Sequence, residues 1–151
     1  MDTTIPGQAI APLPDRGRPK WSRPERSRPE GASLTDADLS GADLTDGTVL
    51  RYAKLTRADL SGADLSWTDL SDAGLTRADL SEAVLYGADF SRGILIEADL
   101  TSANLVEAEI TQEQLEQAGS LEGALMPNGQ KYEDWLKSRG KPGEMNFAES
   151  R

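Results

Sequence analysis

The chain has 151 residues, a net charge of −10, and neither cysteine nor histidine. Without thiols there are no disulfides or thiolate metal sites, and without imidazole the commonest metal ligand and general base is missing. No apolar run reaches the length of a membrane span or of a signal peptide's apolar core, so one soluble, cytoplasmic domain with tails is expected.

The first segment, residues 1–30, holds six of the eight prolines (Pro6, Pro12, Pro14, Pro19, Pro24 and Pro29) and carries six basic against four acidic groups. Ser22-Arg23-Pro24-Glu25 recurs as Ser27-Arg28-Pro29-Glu30. Too little apolar surface is present to offset the entropy of ordering, so a disordered or polyproline-like leader is expected. Its simplest role is a solvated linker; the alternative is a basic tether for an acidic partner or nucleic acid.

Residues 31–112 are the acidic body, with fifteen acidic and five basic groups. They repeat every five residues as Ala-Asp-Leu-Ser-Xaa, as in Ala37-Asp38-Leu39-Ser40-Gly41 and Ala58-Asp59-Leu60-Ser61-Gly62. Apolar centres fall at 34, 39, 44 and 49, then, after one extra residue near Leu50–Tyr52, at 55 and every fifth position to Ile110. A period of five matches neither a helical face nor an alternating strand. It is met if each unit is a very short strand with the centre and the residue two before it inside, the intervening residue outside, and a two-residue corner. Stacked coils then satisfy each other's backbone groups.

The A(D/N)LXX pattern resembles the pentapeptide-repeat family. That resemblance implies a right-handed quadrilateral parallel β-helix with four pentapeptides per coil, hence a pentapeptide-repeat solenoid of about four coils. The extra residue near Leu50–Tyr52 would be a bulge between the first and second coils.

Beyond Ile110 the pattern breaks. Thr111-Gln112-Glu113-Gln114 has capping-box spacing, predicting a short helix through Ala118 stopped by Gly119. A partial coil and the Pro127-Asn128-Gly129 turn follow, then a second short helix over Lys131–Ser138 with Tyr132, Trp135 and Leu136 on one side. Residues 113–139 are thus expected to form a short C-terminal helical cap, similar to closures in that family, and 140–151 a disordered tail. A solenoid end otherwise exposes core leucines and unpaired strands.

Two outward features are candidate surfaces. Asp38, Asp59, Asp79 and Asp99 would stack into one acidic column, with Asp43, Asp64 and Asn104 on a second side and Asp69, Asp89 and Glu109 on a third. Like charges at a strand spacing of about 4.8 Å are unfavourable. Some members of the family mimic DNA, so the column suggests a phosphate-like surface. Four coils, about 19 Å, match only about five or six base pairs, which is short for a monomer. Binding of a cation by so flat a ladder is weaker still, because it cannot enclose the ion. The second feature is apolar: Val84, Tyr86 and Val106 on one side with Trp67 at the corner below, and Ile94 and Ile96 on the opposite side. Exposed apolar clusters mark something covered. The Trp135 helix could cover one of them, leaving the other for a partner or a second copy. Arg51, Arg57, Arg77 and Arg92 sit at corners and are expected to pair with neighbouring carboxylates.

The expected function is a non-catalytic protein-interaction scaffold with an unknown protein partner, a possible homodimer, no cofactor or metal, no membrane association and no direct nucleic-acid binding. The alternative is an acidic DNA mimic regulating a DNA-binding enzyme such as a type II topoisomerase. No nucleophile has a base partner outside the repeat, and a convex rod offers no pocket, so catalysis ranks last.

Overall fold

The computed structural model describes residues 4–5, 8–9, 31–45 and 48–138. Most of the 1–30 leader and all of the 140–151 tail lie outside them. Of the leader, two strands are described, β1 (Thr4–Ile5) and β2 (Gln8–Ala9), which pair antiparallel.

The body is a stack of single-residue parallel bridges in four columns. The first side carries Ser33, Lys54, Gly74 and Ile94, and the second Asp38, Asp59, Asp79 and Asp99. Asp43, Asp64, Val84 and Asn104 form the third side, and Val49, Asp69, Asp89 and Glu109 the fourth. Each bridge shares its backbone groups between neighbouring coils: Leu39 N–H donates to Asp59 O at 2.7 Å, and Asp59 N–H to Ala37 O at 2.8 Å. Alternation along so short a strand sends the flanking Ala and Leu inward and the bridge residue outward. The leucine centres, Phe90 and the alanines two residues before them are all essentially buried.

Apart from the corner after Leu44, the described corners of the columns are four-residue β-turns, closed for example by Ala42 N–H to Leu39 O at 3.1 Å. The third residue of each has positive φ, the type II pattern that favours glycine, and Gly41 and Gly62 occupy it at 66° and 68°. Tyr52, Arg57 and Trp67 adopt the same φ, near 60°. A bulky residue there costs on the order of 1–3 kcal/mol, so the bridges and interior packing on either side must impose the turn.

One expectation is corrected. The fourth centre is Leu50, fully buried with Thr48 beside it, while Val49 is the outward bridge partner of Asp69. The extra residue therefore lies in the corner after Leu44, not near Leu50–Tyr52. A Val49 centre would instead have put Leu50 into water, and Val49 in its outward place leaves Leu50 buried. Two buried threonines replace alanine beside this wider corner. Thr68 Oγ1 donates to Leu44 O at 3.0 Å and Thr48 Oγ1 to Thr45 O at 2.9 Å, so nearby carbonyls keep partners.

Two helices follow the bridge columns, α1 (Gln112–Gln117) and α2 (Tyr132–Ser138). Thr111 and Gln114 form a complete capping box at the start of α1. Leu115 falls five residues after Ile110 and is buried, so α1 takes the place of the next first side. Glu97 N–H donates to Gln117 O at 2.9 Å and Gly119 N–H to Ala98 O at 2.7 Å. Ser120 and Leu125 continue the second and third sides by bridging Asp99 and Asn104. The chain then reverses at Gly129, and Leu125 pairs antiparallel with Lys131. Trp135 on α2 is buried in the core cluster and stacked on Tyr132 at 5.8 Å, while Leu136 is exposed. No described helix is long and apolar enough to cross a membrane.

Candidate functional site

The predicted acidic column exists: bridges link Asp38 to Asp59, Asp59 to Asp79, and Asp79 to Asp99. Its carboxylates are already engaged. Asp59 Oδ1 accepts from the Ser61 amide at 3.0 Å and hydroxyl at 2.6 Å, and Asp38 and Asp79 do the same with Ser40 and Ser81. Asp99 Oδ1 accepts from the Thr101 amide at 2.9 Å. The arrangement recurs at Asp64, Asp69 and Asp89, and Asn104 Oδ1 takes the Val106 amide at 3.1 Å. The consensus Asp thus pins the corner that follows it, which offsets the like-charge repulsion of the column. The Ser40 hydroxyl and amide hold the Asp38 carboxyl below its usual value.

The corner arginines pair as expected. Arg57 grips Asp36 through two contacts, 2.8 and 2.9 Å, and Arg92 grips Asp72 at 3.1 and 2.9 Å. These hydrogen bonds hold both carboxyls below their usual values. Arg77 reaches Glu97 at 2.6 Å, and Arg51 lies 3.8 Å from Asp69. All join neighbouring coils, and at the solvent face such pairs contribute little to stability.

The apolar residues fall where predicted, on two opposite sides, but α2 covers neither. It lies over the C-terminal end, with Trp135 beside Leu115 and Leu121. Ile94 and Ile96 stay exposed on the first side. Trp67, 64% exposed, packs edge-on against Tyr86 with ring centroids 5.5 Å apart. Val84 and Val106 are half-buried on the adjoining third side.

Three participants escaped sequence reasoning. Gly87, one coil above Trp67, is the pad beneath the indole: a Cβ there would lie 2.5 Å from the ring. Adding one coil of twenty residues to Trp67 would have found it. Tyr52, 52% exposed with Arg51 stacked 5.5 Å from its ring, was hidden by the misplaced frame. Gln114 is buried, and its Nε2 donates to Phe90 O and Gly93 O, both at 2.8 Å, which fastens α1 to the last full coil.

A cavity of about 200 Å³ lies between the two helices, lined by Leu115, Leu121, Tyr132 and Trp135 among others. The lining also includes Glu116 and Ser120, whose hydroxyl lies 2.8 Å from that of Thr101. Among the described residues no cluster of acidic, His or Cys side chains is arranged to hold a metal ion.

The family profile described as Pentapeptide repeats (8 copies) matches residues 25–47, 46–77 and 83–118. Among solved structures, the chain is similar to Rfr23, a pentapeptide repeat protein from the cyanobacterium Cyanothece 51142. The identity is 30% and the TM-score 0.51, over 67% of this chain and 64% of that one. HetL, a pentapeptide repeat protein involved in heterocyst differentiation regulation from Nostoc sp. strain PCC 7120, is 34% identical over 68% of this chain and 59% of its own, with a TM-score of 0.35. QnrB1, a plasmid-mediated fluoroquinolone resistance protein, is 20% identical over 69% of this chain and 63% of its own, with a TM-score of 0.34. The chain thus spans between 59% and 64% of the length of these solved proteins. No curated protein matches the chain.

Proposed function

The chain belongs to the pentapeptide-repeat family, and from that premise we propose that it is a non-catalytic protein-interaction scaffold, a right-handed four-sided coil of about four turns closed by a helical cap. The observation that carries this reading is the Trp67–Tyr86 ridge. It is apolar, exposed and seated on Gly87, and nothing in the repeat requires an indole at that corner. Exposed aromatic pairs are the usual anchors of protein interfaces. A net charge of −10 argues against direct binding to nucleic-acid phosphates.

Mimicry of DNA by the aspartate column is the weaker alternative, because one oxygen of each of those carboxylates is bound by its own corner. The two readings separate in a pull-down from host lysate at low and high salt. The scaffold predicts a partner kept at high salt and by the Asp38, Asp59, Asp79 and Asp99→Asn variant, and lost with Trp67→Ala/Tyr86→Ala. A partner lost with the four asparagines and at high salt, but kept by the aromatic variant, would instead support mimicry.

A further inference from the structure

We propose that the Trp67–Tyr86 corner is a docking site for a proline- and arginine-rich strand, and that its occupant is the chain's own leader, residues 18–29. The inference rests on the preceding reading of that corner as a binding surface, and adds the class of ligand it takes and the segment that occupies it.

Three observations support it. The first is the chemistry of the corner. Two aromatic rings meet edge-on at 73°, and both are exposed. Proline-rich strands dock on such exposed aromatics because their polyproline conformation is already ordered, and arginine stacks on the same rings. The second is charge. The ridge lies between the third and fourth sides, which carry Asp64, Asp69 and Asp89 as bridge residues, and Glu107 follows Gly87 at the same corner one coil on. Residues 18–29 bring Arg18, Lys20, Arg23, Arg26 and Arg28 against the single acid Glu25, with Pro19 and Pro24 among them and Pro29 after. No other stretch of the chain matches this surface in both respects.

The third is reach. The leader joins the body at Gly31, whose N–H donates to Arg51 O at 2.8 Å. That contact places Gly31 at the corner between the fourth and first sides, one side away from the Trp67 corner and about two coils, ~10 Å, below it. Eight residues of polyproline-like chain extend about 25 Å, enough to cross the acidic fourth side and set Arg23-Pro24 on the rings. Docked in this way, the leader would set its arginines over the acidic third and fourth sides.

The chain has no native cysteine, so Ser22→Cys gives one thiol for a nitroxide in the full-length protein. The readout is paramagnetic broadening of the Trp67 indole N–H against the Arg57 amide. Arg57 stands in the same coil, one side from Gly31 in the opposite direction, so an undocked leader would affect both corners alike. Docking predicts loss of the Trp67 peak with the Arg57 peak retained, and return of Trp67 at high salt or with Arg23, Arg26 and Arg28→Ala. An unchanged Trp135 indole peak shows that each variant is folded. Equal broadening at both corners, or none at Trp67, overturns the proposal. So does Trp67 broadening in a mixture where the nitroxide sits only on isotopically unlabelled molecules, since the leader would then belong to a second copy. Failure here leaves capture of a partner through Trp67 intact. The scaffold reading itself fails if the Arg→Ala variant, with its ridge freed, still captures nothing through Trp67.

Discussion

The second side and the Trp67 corner both face water, yet they differ in what repetition says about them. The aspartate recurs four times up its column, and each time its carboxylate accepts from the backbone or hydroxyl of the corner beyond it. The indole occurs once, at a turn position that disfavours it, and rests on a glycine that leaves it room. A feature present in every coil is explained by what every coil needs. A feature present once, against local conformational preference, calls for a local reason.

The largest expected effect tests the first half of that contrast. Changing Asp38, Asp59, Asp79 and Asp99 to Ala should lower unfolding stability by about 2–4 kcal/mol, at roughly 0.5–1.5 kcal/mol per lost hydrogen bond less the relief of charge repulsion. The same four changes to Asn should cost almost nothing, because a carboxamide oxygen already does this work at Asn104. Denaturant melts of both variants decide it; equal losses would mean that charge, not the acceptor oxygen, is what the column supplies.

Gly87→Ala comes next. Its positive φ costs an alanine on the order of 1 kcal/mol, and the new methyl also displaces the Trp67 ring. In a Trp67→Ala background the clash disappears and only the backbone cost remains. A double-mutant cycle should therefore show coupling between the two positions. Additive losses would show that the indole does not rest on that glycine.

The smallest effect is the response to acid. Asp36, Asp38 and Asp72 have folded-state values held below the usual carboxylate 3.8. Their contribution is fully present above that value and is lost as pH falls through the lowered values. Thermal melts should hold steady from neutral pH down to about 4 and decline below it. In Asp38→Asn the decline should be shallower.

Much of this was legible because the interior tolerates so little variation. Leu every five residues with Ala two before it calls for a corner every five residues; that four corners close a coil, and so which residues share a column, came only from the resemblance to the family. The frame slipped at Thr48-Val49-Leu50 because Val and Leu are both competent centres. Only the polarity of the competing corners separates them, and the slip concealed Tyr52. Trp67, Tyr86, Ile94 and Ile96 were legible as outward positions. The site of α2 was not, because a hairpin of a few residues at Gly129 decides whether Trp135 meets a flank or the end. The capping box at Thr111 was readable, but the two carbonyls taken by Gln114 depend on where the helix lands.

Gln114 grips main-chain oxygens, and the carbonyls at Phe90 and Gly93 have counterparts in every coil. Nothing in that grip depends on which side chains the coil displays. The closure is therefore portable: a twenty-residue coil added or removed beneath it would present the same oxygens at the same corner. The length of the rod can change in steps of one coil, carrying whole rows of surface residues in or out, while both ends keep their chemistry. In such a molecule the spacing between two surface features is an inheritable quantity counted in coils.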